Sequence, residues 1–69
     1  MLLIDQDKIY VKDYKDIVFM DSHIFRIQMN KYQLIIKGDE LEIAYYDYQE
    51  IRLNGHVKVI EYENRIWLL

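Results

Sequence analysis

The sequence predicts an all-β protein, a small antiparallel meander of about seven short strands curled into a two-layer sandwich or roll. Three observations predict it. Apolar and polar residues alternate with period two from Lys8 onward, with no sustained period of 3.6. Clusters of Asp, Asn, Gln, Ser and Gly interrupt the alternation at short intervals, as turns do. The stretch Leu34–Val59 also reads as one hairpin written twice. Leu34-Ile35-Ile36-Lys37-Gly38-Asp39-Glu40-Leu41-Glu42-Ile43 is echoed by Ile51-Arg52-Leu53-Asn54-Gly55-His56-Val57-Lys58-Val59, and each half enters and leaves a glycine-marked turn.

The elements follow in order. Ile9 and Val11 alternate with Lys8, Tyr10 and Lys12 before the polar turn Asp13-Tyr14-Lys15-Asp16. Ile17 and Phe19 share a face by alternation and lead to a turn at Asp21-Ser22. Phe25, Ile27 and Met29 form the next apolar face, ended by Asn30-Lys31. Leu34 and Ile36 run into the expected turn at Gly38-Asp39, and Leu41, Ile43 and Tyr45 run out of it. Asp47-Tyr48-Gln49 turns the chain again. Ile51 and Leu53 approach Asn54-Gly55, the strongest short hairpin signal here, because a type I′ turn needs positive φ at both central positions. Val57 and Val59 return, and Ile66-Trp67-Leu68-Leu69 closes the chain. Helix formers in Asp39–Tyr48 do not outweigh the β-branched and aromatic residues around them. Gly38 and Gly55 stand seventeen positions apart, and the same step backward lands on Asp21, so a short β-solenoid remains the alternative architecture. Asn-Gly and Gly-Asp pairs favour hairpins.

Residues 1–69 form a single domain, since no linker or low-complexity segment divides them. A chain this short buries only about 60% of the surface its unfolded form exposes, so a second copy or a partner is the expected support. Disulfides cannot supply it, because there is no cysteine, which fits a reducing, cytoplasmic setting. The formal charge of −3 offers no basic patch for nucleic acid. No apolar run is long enough for a membrane span, and the N-terminus lacks the pattern of a secretory signal.

Candidates for chemistry are few. Ser22 is the sole serine, and neither threonine nor cysteine occurs. His23 follows it directly, but neighbours on an extended strand point to opposite faces, so no dyad is expected. His23 and His56 lack metal-ligand spacing, and Asp5-Gln6-Asp7 begins like a calcium loop without its glycine or closing glutamate. Glu40 with Glu42, and Glu61 with Glu63, each share a strand face and read as solvent-facing charges. Neither a cofactor, a metal nor a catalytic residue is expected.

The aromatic residues say more. By simple alternation Tyr46, Ile60 and Tyr62 fall opposite Ile43, Val57 and Val59, and Val18, Met20 and Ile35 repeat the pattern, so the expected solvent face is partly apolar. Either the sheet covers both faces, or this face binds another chain, a use that suits tyrosine. The tail must pair as a last strand, dock in a homo-oligomer, or meet a partner. Tyr46, Ile60, Tyr62, Trp67 and Leu68 are therefore the candidate interaction surface. A tyrosine-rich face for a small ligand or carbohydrate is the alternative.

Three strings carry a family resemblance: Ile9-Tyr10-Val11-Lys12-Asp13-Tyr14-Lys15-Asp16-Ile17, then Leu34 to Ile43, then Ile51 to Tyr62. Their order and spacing resemble the YabP/YqfC family of sporulation proteins over roughly residues 8–62. The resemblance implies a mother-cell protein of spore cortex or coat assembly, non-enzymatic, with a membrane-bound sporulation protein as partner. It carries over no catalytic residue.

Overall fold

A computed structural model describes residues 1–64. The expected final strand at Ile66–Leu69, with Trp67 and Leu68, lies outside the described residues. Six strands are present: β1 (Leu2–Asp5), β2 (Lys8–Lys12), β3 (Asp16–Met20), β4 (Ile24–Gln28), β5 (Gln33–Tyr46) and β6 (Glu50–Glu63). All neighbours are antiparallel, in one open sheet ordered β1-β2-β6-β5-β4-β3. The all-β class is as expected, and the antiparallel order replaces the solenoid alternative. The strand β1 was not expected, since Leu2-Leu3-Ile4 does not alternate. Asp5-Gln6-Asp7, which began like a calcium loop, turns β1 into β2 with Gln6 at φ 55°.

The repeated hairpin is corrected. Neither Gly38-Asp39 nor Asn54-Gly55 reverses the chain. Each lies in the middle of a 14-residue strand, and β5 and β6 form one long hairpin closed at Asp47-Tyr48-Gln49. Asp47 holds that turn through Oδ1, which accepts the N–H groups of Gln49 (2.8 Å) and Glu50 (2.9 Å). The glycines are where the paired strands approach too closely for a side chain. A Cβ on Gly38 would stand 1.9 Å from the His56 carbonyl oxygen, and one on Gly55 2.7 Å from that of Glu40. The φ of 140° at Gly55 is likewise open mainly to glycine.

Around these glycines the ladder slips three times, at Lys37/Gly38, Asp39/Glu42 and Ile43/Tyr45. Such bulges bend a strand and increase its twist. The bend divides the sheet into two halves. In one, β1 pairs with β2 and β2 with the first part of β6; in the other, β3 pairs with β4 and β4 with the first part of β5. The short linker between β2 and β3 ties the far ends of both halves together. The Asp13 N–H donates to the Gln49 carbonyl (2.8 Å), and the Lys15 N–H donates to that of Gln28 (2.8 Å). Between them, the Tyr14 hydroxyl donates to the Asp47 carbonyl.

Folded over in this way, the two halves share one core. Ile9, Val11, Ile51 and Leu53 come from one half, Phe25, Ile27, Met29, Leu34 and Ile36 from the other, and Leu41 from the bend. Backbone bonds from Gly38 N–H to the His23 carbonyl and from Leu41 N–H to that of Ser22 fasten the bend to the β3–β4 turn. Ile35 is buried on the outer face. Its ladder neighbours Arg26 and Glu61 belong to two ion pairs there, Arg26–Glu63 (3.6 Å) and Lys37–Glu61 (2.8 Å).

Candidate interaction surface

The chemistry-bearing residues are exposed. Ser22 and His23 lie in the expected polar turn, where, unlike neighbours on an extended strand, their side chains meet. Ser22 Oγ lies 3.0 Å from His23 Nδ1, and His23 Nε2 lies 3.9 Å from Asp39 Oδ1. Asp39 is already held by Lys58 Nζ at 2.7 Å, and this hydrogen bond keeps its carboxyl below the usual range. Asp21 is held below that range by its bonds from the N–H groups of His23 and Ile24, so it serves as the cap of the turn. Glu61 and Glu63, expected as solvent-facing charges, stay partly exposed and pair with Lys37 and Arg26 over Ile35. Among the described residues no group of three or more His, Cys, Asp or Glu is placed to hold a metal ion.

The exposed apolar residues have a common location. Because the bend staggers the pairing, four strand segments have a free edge among the described residues: β1, β3, the end of β5 and the end of β6. Leu3 and Ile4 lie on the first, Val18, Phe19 and Met20 on the second, Tyr45 and Tyr46 on the third, and Val59 and Tyr62 on the fourth. The other large exposed hydrophobics are Met1, beside β1, and Tyr48, in the β5–β6 turn. Each edge also carries one such residue directly across from a buried core residue: Ile4 from Ile9, Met20 from Phe25, Tyr46 from Ile51, and Tyr62 from Leu34. Residues directly opposed across strands share a face. The core therefore stops one strand short of every edge, and its rim faces solvent.

This geometry corrects the expected faces. Ile60 lies opposite Ile36, half-buried against the core, and Tyr62 is on the same side with its ring edge-on to Tyr32 at 5.3 Å. Val59 is the outward residue. The slip at Lys37/Gly38 leaves Lys58 without a partner, so Val57 and Ile60 both face the core. Ile17 and Phe19 likewise part, since the bulge at Val18 sets Ile17 opposite Ile27 and Phe19 opposite Arg26. Tyr46 and Tyr62 sit on different halves of the sheet, at the rim of the core, rather than on one outer patch.

Alternation alone did not show a second surface. On the outer face of the first half, one row crosses four strands as Leu3, Tyr10, Arg52 and Tyr45. The Arg52 guanidinium stacks 4.8 Å from the Tyr45 ring centre and is anchored by Glu50 at 3.0 Å. The Tyr45 hydroxyl donates to Asp47 (2.9 Å), which raises the pKa of the phenol. Beside this row Lys8, Tyr10, Ala44, Arg52 and Asn54 border a shallow hollow of about 270 Å³.

No helix among the described residues is long and apolar enough to cross a membrane. No curated protein and no solved structure shows significant similarity to the chain. The family comparison agrees instead with the order and spacing of the strand motifs. The model of the YabP family matches residues 1–66, both long strands included, and the chain belongs to that family, which makes it a sporulation-related protein.

Proposed function

We propose that the protein serves spore formation as a non-enzymatic interaction module whose sheet edges contact a partner protein. The observation that carries this reading is the uncovered rim of the core. Large apolar side chains on all four free edges lie beside fully packed core residues, and such surface marks an interaction site. Membership of the YabP family, which is not known as enzymatic, supports the sporulation role. The process is cortex or coat assembly, carried out in the mother-cell cytoplasm at the forespore membrane, and the partner is a membrane-bound sporulation protein. Pull-down from sporulating cells tests this. The wild-type chain should retain a membrane protein that the paired substitution Tyr46→Ser with Tyr62→Ser releases, and Trp67→Ala should weaken retention. Equal recovery from all variants would rule the rim out.

A second reading has its own observation. The Tyr10–Arg52–Tyr45 row beside a hollow suits stacking of a saccharide ring, with Lys8 and Asn54 as hydrogen-bond donors. Titration with soluble glycan fragments, monitored by tyrosine fluorescence in wild type and Tyr10→Ala, separates the two readings.

A further inference from the structure

We propose that β1 is a seam at which two copies of this chain pair, antiparallel and two-fold symmetric about Leu3. β1 runs beside β2 without a register shift, with Leu2 opposite Val11, Leu3 opposite Tyr10, Ile4 opposite Ile9 and Asp5 opposite Lys8. At its start the Met1 and Lys12 backbones exchange both of their hydrogen bonds, each 2.7 Å. Alternation along an unbroken strand therefore aims the backbone groups of Leu3 at β2 and those of Leu2 and Ile4 outward, away from every strand among the described residues. Pairing about Leu3 sets Leu2 of one copy opposite Ile4 of the other. The outward groups then meet, and each such pair exchanges both of its bonds, on either side of the axis.

The side chains fit the same register, since directly opposed residues share a face. Leu2 and Ile4 lie on the core side, opposite the buried Val11 and Ile9. The seam thus lines up Ile9 and Ile4 of one copy with Leu2 and Val11 of the other, and covers the open rim of the core. On the outer face Leu3 meets its own copy, so the row Tyr45, Arg52, Tyr10 and Leu3 continues through the axis. In the flanking row Asp5 falls between its own Lys8 and the second copy's Met1 and Lys12. Asp5, Lys8 and Lys12 have no ion pair among the described residues, and the register opposes no like charges. A register moved toward the β1–β2 turn would oppose Leu3 with Asp5, and one moved the other way would leave Ile4 unpaired. The remaining edges are poorer templates and stay available to a partner protein. β3 is bulged at Val18, the end of β5 is broken by the slip at Ile43/Tyr45, and the end of β6 carries Glu61 and Glu63. Because β1 is short, the dimer is a weak one that forms as concentration rises.

Because the chain has no cysteine, Leu3→Cys introduces a single thiol at the two-fold centre. Opposed residues of a non-hydrogen-bonded antiparallel pair have Cα atoms about 4.5 Å apart, within the span of a disulfide. Under mild oxidation this variant should form a covalent dimer about ten-fold faster than Val18→Cys, which puts a comparably exposed thiol on the bulged edge. Leu3→Lys and Leu3→Glu each oppose like charges at the axis. Light scattering should find the wild type dimerising as concentration rises and each variant several-fold weaker. An equimolar mixture of the two sets Lys against Glu and should restore the dimer, which misfolded variants could not do. A wild type monomeric throughout, equal cross-linking rates, or a mixture no more dimeric than its components overturns the seam. Partner capture is scored separately, so a chain that captures its partner without dimerising overturns the seam alone, and one that dimerises but captures none overturns the partner reading alone.

Discussion

At Gly38 a methyl group would meet a backbone oxygen rather than a movable side chain, so the only relief is to part β5 from β6. Gly38→Ala should therefore cost more than about 3 kcal/mol, above the usual range for a point substitution. A domain of this size has little more stability than that, and far-UV circular dichroism should show the variant largely unfolded at 25 °C. The importance of Gly38 and Gly55 was legible in the sequence, since a residue without a side chain marks a special backbone. Its form was not, because a turn and a close strand crossing call for the same residue. A pH effect also belongs to this scale. Asp21, Asp39 and Asp47 have their pKa lowered, Asp21 and Asp47 chiefly by backbone N–H donors and Asp39 by Lys58. The unfolded chain then binds more protons in acid, so the stability they contribute is complete above their ordinary value of 3.8 and is lost as pH falls below it. Thermal melts between neutral pH and strong acid should show Tm falling through that window. Asp21→Asn, Asp39→Asn and Asp47→Asn combined should flatten the fall.

Among the elements, the bulges decide which face each residue takes. The segments Ile9–Val11, Phe25–Met29 and Ile51–Leu53 keep an unbroken alternation, and their buried faces are those the period-two pattern picks out. Phe19, Val59 and Ile60 lie beyond a slip, and there the pattern assigns the wrong side. One extra residue flips everything after it, and its presence depends on the partner strand, which local sequence does not contain. Adjacent substitutions test the flip. Ile60→Lys should cost roughly 1–3 kcal/mol because it places a charge against the core, whereas Val59→Lys should stay within about 0.5 kcal/mol. Urea denaturation of both variants checks the contrast, and similar midpoints would contradict the observed register.

For the molecule as a whole, what matters is how the long hairpin stays bent. The β2–β3 linker does this by binding Gln28 at one end and Gln49 and Asp47 at the other. Tyr14→Phe removes the hydroxyl bond to Asp47 and should cost about 1 kcal/mol, a fall in Tm of roughly 4–8 °C. Burial, with Asp47 close by, raises the pKa of Tyr14, so its stabilising effect should hold below its ordinary value of 10.0 and be lost as pH rises through it. Calorimetry from neutral pH to above 10.0 should show that loss in wild type and less of it in Tyr14→Phe, where Tyr45 still contributes. The fold that results leaves edges rather than faces as its exposed apolar surface, which is why any contact with a partner or a second copy is expected there.

The sequence by itself determined the all-β class, most of the buried residues, the turn at Asp47-Tyr48-Gln49 and the family. Each of these follows from local alternation, turn chemistry or motif order along the chain. Only the tertiary structure decided that the two glycine motifs are one bend, that Ile60 and Tyr62 face the core side, and that four edges remain open. These depend on pairing between residues distant in sequence, where the close approach of two backbones, not the preference of either strand, sets the geometry.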